Sequence, residues 1–202
     1  APGALRPAMA QAKIKPGRVG YAVWCDDAGQ VIDDGTIFHL RENVFRLCSQ
    51  ERQLDWLLAS ALGFDVSIVE ETDDVAALAF QGPTSCAVLR KMGLTGIEQL
   101  KPFGLRYYPF AGGELMVSRT GFTGDLGYEL WIDPGHALEL WDQLFEAGHD
   151  YGVRPMGTLA LEMLAQQPTI DTLLVPVGGG GLIGGMATAA RAHRSPIEVI
   201  GV

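Results

Sequence analysis

Gly127-Tyr128-Glu129-Leu130-Trp131-Ile132-Asp133-Pro134-Gly135-His136-Ala137-Leu138-Glu139-Leu140-Trp141 carries a strand directly into a helix. Residues 127–132 read as the strand. Asp133 offers an N-cap oxygen, and Pro134 a fixed φ at the first helical position. Ala137, Leu140, Trp141, Leu144 and Phe145 then recur at helical spacing until Gly148 ends the helix. Upstream, residues 21–25 form a strand and Asp26-Asp27-Ala28-Gly29 a turn. Residues 31–39 return antiparallel, and 44–48 give a third strand. Leu54, Leu57, Leu58 and Leu62 predict a helix over 51–62, closed by Gly63. Residues 66–69 and 75–81 read as strands, and Gly82-Pro83-Thr84 opens a short helix ending near Gly93. Residues 105–110 and 115–118 are further strands. Strands and helices mixed in this way, with hairpin turns, predict an α+β fold.

Composition narrows the function classes. Fifteen Lys and Arg stand against 24 Asp and Glu, for a net charge of −9. That disfavours nucleic acid, whose phosphates need clustered cations. Lys13, Lys15 and Arg18 form the nearest thing to a cluster, and they read as a solvated entry segment. No apolar run reaches the about 20 residues that span a bilayer, so no membrane partner is expected. Residues 1–12 lack the apolar core of a signal peptide. Cys25, Cys48 and Cys86 are odd in number and widely spaced, which reads as reduced thiols in a cytoplasmic protein. His39, His136, His149 and His193 share no ligand spacing, so no metal is expected.

Asp33-Asp34 is the first chemical signal. Adjacent strand residues point to opposite faces, so one carboxylate should turn inward, where it needs a partner or a cationic substrate group. Spacing alone also suits an acidic pair on an exposed hairpin, and Glu129 equally suits an outward position on a half-buried strand.

Three stretches add to this. They are Lys15-Pro16-Gly17-Arg18-Val19-Gly20-Tyr21 with Val31-Ile32-Asp33-Asp34-Gly35, then Leu78-Ala79-Phe80-Gln81-Gly82-Pro83, then Ser118-Arg119-Thr120-Gly121-Phe122-Thr123-Gly124-Asp125-Leu126-Gly127-Tyr128-Glu129-Leu130. Together and in this order they resemble the aminomethyltransferase (glycine cleavage T-protein) family. Relatives that demethylate sarcosine-like or sulfonium donors share them. The resemblance implies tetrahydrofolate as cofactor and a lipoyl-carrier protein as partner. It implies a catalytic carboxylate beside the folate amine nitrogens at Asp34, which should face the interior. It implies a folate-contacting set of Asp33, Asp34, Cys48 and Glu129. The chemistry suits these types, because a carboxylate accepts two pterin N–H groups in parallel, and a second can arrange proton transfer or stabilise an iminium. Arg119-Thr120-Gly121 reads as structural, with glycine for tight turns and Arg pairing with backbone or a carboxylate. The family's further N-terminal stretch has no counterpart in residues 1–15. Where the family carries folate-clamping arginines, this chain has Leu159, Ala160, Leu161 and Ala165. Residual activity is therefore the expectation.

The C-terminal stretch has another character. Leu173-Leu174-Val175-Pro176-Val177 is a continuous apolar strand, Gly178, Gly179, Gly180 and Gly181 follow, and residues 182–194 read as a small-residue helix before a strand at 198–202. Strand, glycine loop, helix, strand is one βαβ unit, with backbone N–H groups presented to an anion. The string through Gly185 resembles the phosphate loop of threonine dehydratases and serine racemases, which are fold-type II pyridoxal-phosphate enzymes. The motif that carries their Schiff-base lysine is absent. The expected organisation is a flexible lead over 1–15, an incomplete folate-binding domain over 16–157 and a pyridoxal-enzyme-like βαβ fragment over 158–202. The alternatives are a dehydratase-like fragment or a non-catalytic chimera. Pyridoxal phosphate should form no stoichiometric aldimine with Lys13, Lys15, Lys91 or Lys101. Borohydride trapping after dialysis checks this, and one equivalent fixed on a single lysine is the contrary result.

Overall fold

The computed structural model describes residues 14–121, 123–155, 172–175 and 198–201. Two compact units divide the chain, Ala1–Ala147 and Gly148–Val202. In the first, β1 (Arg18–Cys25), β2 (Val31–Arg41) and β3 (Val44–Ser49) form an antiparallel sheet in that order. A second sheet has the order β4-β7-β6-β5, from β4 (Ala76–Gln81), β5 (Leu105–Phe110), β6 (Gly113–Ser118) and β7 (Gly127–Ile132). All its pairings are antiparallel. The helices are α1 (Leu54–Ser60), α2 (Ser85–Lys91) and α3 (Ala137–Gly148). Strands and helices mix as the α+β expectation required. Among the described residues no helix is long and apolar enough to cross a membrane.

The second sheet is the middle layer. On one face Leu115, Val117, Tyr128, Leu130 and Ile132 pack with Leu89 of α2 and with Leu140 and Leu144 of α3. On the other, Met116 and Leu105 meet Val19 and Phe38 of the first sheet, with Trp131 and Cys48 beside them. Phe38 and Trp131 stack edge-on at 5.0 Å. This is why β6 is buried on four consecutive residues, Leu115 to Ser118, rather than on alternate ones. The two sheets are stitched where Gly17–Val19 runs beside Phe103–Leu105: Val19 N–H donates to Phe103 O at 2.8 Å, and Leu105 N–H to Gly17 O at 3.0 Å.

The strand-to-helix passage forms as its residues dictate. Asp133 Oδ1 accepts Gly135 N–H at 2.8 Å, and Pro134 starts one turn of 3-10 helix ahead of α3. Leu140 and Leu144 are buried, whereas Trp141, 39% exposed, turns aside to stack on Phe145. Two expectations fail. Residues 66–69 form no strand; they join neither sheet, and Val66 and Val69 stay exposed. The helix predicted over 51–62 shrinks to α1, because Gln53 makes no side-chain cap and Leu58 and Leu62 find no core. Ile14 also departs from a free lead: its carbonyl is held by His39 Nδ1. Residues 1–13 lie outside the described residues.

In the second unit, β8 (Thr172–Val175) and β9 (Glu198–Gly201) pair in parallel, Thr172 opposite Glu198. That is the pairing a βαβ connection requires. The junction helix expected from Thr158 and the loop Gly178, Gly179, Gly180 and Gly181 lie outside the described residues.

One side chain organises the connection from β6 to β7. Gln81 ends β4, and its Nε2 donates to Tyr128 O at 3.0 Å and Thr120 O at 3.3 Å. Its Oε1 accepts from Thr123 Oγ1 at 3.1 Å. The next residue, Gly82, donates its N–H to Leu126 O at 2.7 Å. Any Cβ at Gly121 or Gly127 would overlap the Gln81 carboxamide. Gly127→Ala should therefore lose about 1–3 kcal/mol in denaturant unfolding. Adding Gln81→Ala removes the overlap, so the double variant should lose less than the sum of the two single losses. Strict additivity would refute the clamp.

Candidate functional site

Alternation and register define which residues meet between the sheets. On β2, Asp34, Thr36 and Phe38 share a face, and β3 adds Cys48 opposite Thr36 and Arg46 opposite Phe38. On the second sheet, Glu129 lies opposite Ser118, and Trp131 opposite Met116. Trp131 contacts Phe38, and the Arg46 guanidinium lies 5.8 Å from the centre of the Trp131 ring. The facing sides therefore carry Asp34, Cys48 and Arg46 against Glu129, Ser118 and Trp131.

Glu129 is half-buried, and among the described residues the hydrogen bonds to it reach Oε2. Thr120 Oγ1 donates to Oε2, and Ser118 Oγ lies 3.4 Å from the same atom. Ser118 and Thr120 are buried and join each other at 2.6 Å. Trp131 Nε1–H donates to Ser118 Oγ at 3.3 Å. Thr120 thus serves Glu129, beyond the structural part expected of it. Arg119 does what was expected, donating to the backbone oxygen of Leu100 at 2.9 Å. A Cβ at Gly121 would displace the Gln81 carboxamide, and the φ of Gly121 lies outside the left-handed region a turn glycine would use.

Cys48 belongs to the same face. Burial, first, pushes its thiol up to about 12; Arg46 opposes, while the carboxylates of Glu129 and Glu71 add to the rise. Arg46 pairs with Glu71 and so carries that loop to the site. A thiol held protonated packs the wall and does not act as a nucleophile.

The acidic pair corrects one expectation. Asp34 is exposed rather than interior, and Asp33 is the partly covered member. Asp34 does share the Phe38 face, but the apolar inter-sheet cluster takes only Phe38 and Leu40 from β2, so the strand runs past its cover. Tyr21 O–H donates to Asp34 Oδ2 at 2.6 Å, and this bond is the first cause of a raised Tyr21 phenol. Asp33 lies on the opposite face, where it accepts Asp34 N–H at 2.8 Å and Glu51 N–H at 3.4 Å. Asp34 and Cys48 thus share the side of the first sheet that faces the second, Glu129 stands on the facing side of the second near Cys48, and Asp33 is on the other side. Further along the facing sides, Arg46, Tyr107, Glu114, Met116, Trp131 and Asp133 line an open cleft of ≈ 170 Å³. Sequence reasoning did not single out Ser118, Tyr21 or Arg46. Period-two alternation with β2 and β7 could have found them, given the strand register.

Cys48 yields a pH-dependent outcome. Its folded value, about 12, exceeds the ordinary 9.0, so the unfolded chain loses this proton first. The stability it contributes is complete below about pH 9 and is lost as pH rises toward 12. At pH 8 its thiolate is about 1000-fold scarcer than an ordinary thiol's. Exposed Cys25 should therefore react rapidly with a disulfide reagent, and Cys48 should wait on unfolding. A fast phase that survives Cys25→Ser and vanishes with Cys48→Ser would contradict this.

Comparisons with known proteins agree with the three sequence motifs. The GCVT N-terminal domain model matches residues 6–167. The model of pyridoxal-phosphate dependent enzymes matches residues 140–202. An aminomethyltransferase of Halothermothrix orenii is 36% identical over 157 residues, covering 76% of this chain and 44% of that protein. A trimethylamine-oxide aldolase of Ruegeria pomeroyi is 38% identical over 159 residues, 73% of this chain and 20% of that one. The crystal structure of the glycine cleavage aminomethyltransferase T from Bartonella henselae superposes with a TM-score of 0.56 at 28% identity, over 66% of this chain and 37% of that one. This chain spans less than half the length of the curated relatives it matches. With the family model matched over most of its length, the chain belongs to the GCVT N-terminal domain family.

Proposed function

We propose that this chain binds tetrahydrofolate on the polar face between its two sheets, as part of a one-carbon transferase of the aminomethyltransferase kind. The observation that carries the reading is Glu129. It is half-buried, with Oε2 held by Thr120 and Oε1 without a bond among the described residues, on the side of the second sheet that faces the first sheet, where Asp34 stands on β2. A carboxylate so fixed accepts pterin N–H groups. Asp34, exposed beside the Tyr21 hydroxyl, supplies the second carboxylate near the amine nitrogens, where it stabilises positive charge or takes a proton. Cys48 walls the site as a protonated thiol. Asp33 serves from the far side by bracing the backbone of Asp34.

The face is open at Asp34, so binding is shallow and transfer residual. A lipoyl-carrier protein is the donor-bearing partner this reading calls for, with access from the Asp34 end. The parallel β8–β9 pair and the family match over 140–202 support a second element, a pyridoxal-enzyme-like unit whose glycine loop binds phosphate weakly.

Titration of the purified chain with tetrahydrofolate, followed by tryptophan fluorescence or calorimetry, tests the reading. Glu129→Gln should weaken binding about 10- to 100-fold, the loss expected for hydrogen bonds to a charged acceptor. Asp34→Asn should change Kd by less than about 3-fold and abolish whatever transfer the chain supports. Saturable binding unchanged by Glu129→Gln, or no binding by the wild-type chain, would sink it.

A further inference from the structure

Four polar groups of the inter-sheet face lie in series. Trp131 Nε1 is 3.3 Å from Ser118 Oγ, Ser118 Oγ is 2.6 Å from Thr120 Oγ1, and Thr120 Oγ1 meets Glu129 Oε2. Both residues are buried, Ser118 at 0% and Thr120 at 8% exposure, so protein groups surround their hydroxyls. The series can therefore be solved by counting protons.

An indole N–H only donates, so Ser118 accepts from Trp131. An ionised carboxylate only accepts, so Thr120 gives its one proton to Glu129. Thr120 then has no proton for Ser118, and the 2.6 Å contact requires Ser118 to donate. Each of the three protons has one place. The longer approach of Ser118 to Glu129, at 3.4 Å, is left as a contact without a proton of its own. Reversing the middle bond would set a Thr120 lone pair against the carboxylate.

We propose that Ser118 and Thr120 form a one-way hydrogen-bond relay from Trp131 that orients Glu129 and keeps it an acceptor, making both hydroxyls positioning residues for the ligand. The consequence for a ligand rests on the folate reading above; the relay itself does not. Chain geometry explains its rigidity. Ser118 and Glu129 are direct cross-strand partners, and Met116 and Trp131 are the next pair on that face. Thr120 hangs from the connection that Gln81 clamps through Thr120 O. The Arg46 guanidinium, 5.8 Å from the Trp131 ring centre, is paired with Glu71. Thr120 therefore holds Oε2 of Glu129 against the protein, which leaves Oε1 as the acceptor for the ligand in the folate reading.

The test begins on the ligand-free chain. The Trp131 indole N–H resonance is assigned by Trp131→Phe, then followed in Glu129→Gln, in Ser118→Ala and in the double variant. If Glu129 acts on the indole through the hydroxyls, Glu129→Gln should move the resonance in the wild-type background and leave it in place in the Ser118→Ala background. Equal shifts in both backgrounds would be a plain field effect and would overturn the relay. Thr120→Val, isosteric but without the hydroxyl, should weaken tetrahydrofolate about 10-fold, and Thr120→Ser should restore it. Restoration by Ser separates positioning from a folding defect, which Ser and Val would share. If the wild-type chain binds folate, Glu129→Gln does not, and Thr120→Val binds like wild type, the relay falls while the folate site stands. If the indole responds as expected and no variant binds folate, the relay stands and the folate reading falls.

Discussion

The insertion of the Gln81 carboxamide into the connection between β6 and β7 is the constraint on which the rest of the site depends. Three polar bonds leave this one side chain, two to backbone oxygens and one from Thr123. They hold a segment that has no regular structure of its own. The carboxamide fills the space a side chain would need at Gly121 and Gly127, so a larger residue at either position must displace it. Two motifs far apart in the chain, one around Gln81 and one around Glu129, are thus halves of one packed object. Their joint presence has a steric cause.

From that anchor the layers follow. Fixing β7 between β4 and β6 sends Tyr128, Leu130 and Ile132 toward the helices, and Glu129 and Trp131 toward the first sheet. The buried cluster on the helix-side face is aliphatic apart from Tyr108 and Tyr128. The sheet-side face mixes Met116, Phe38 and Trp131 with Ser118, Glu129 and Arg46. A polar group in that layer must find a partner, because leaving it unpaired there costs about 1–3 kcal/mol. The arrangement meets this requirement through short local chains: Trp131 to Ser118 to Thr120 to Glu129, and Arg46 to Glu71. Satisfying buried polar groups and building a directed acceptor are here the same act.

The acidic pair shows the limit of periodicity. Alternation puts Asp33 and Asp34 on opposite faces, and the structure does so. Alternation carries no information on how far the opposing sheet extends, and β2 outruns it. So Asp34 faces the site and stays exposed, while Asp33, on the other face, is partly covered and ties down the backbone of Glu51. Cys48 shows the reverse. A lone cysteine in a strand is mute as sequence, yet its place between Arg46, Glu129 and Glu71 makes its protonation state part of the site's electrostatics.

Local sequence determined most elements of the first unit. The Asp133-Pro134 start, the Leu140 and Leu144 stripe, the strand runs and the motifs that name the family are all set by residues near one another in the chain. Local signals also misled where no tertiary partner exists, at residues 66–69 and at the ends of α1. Apolar residues make a strand or a helix only when another surface covers them. Which face of each strand is buried, where that cover stops, and which hydroxyl serves which carboxylate were decided by tertiary structure alone. Those properties depend on the register between strands distant in sequence. Register is set by side-chain packing across the sheets and by one glutamine lodged between two glycines, contacts that no window of local sequence contains.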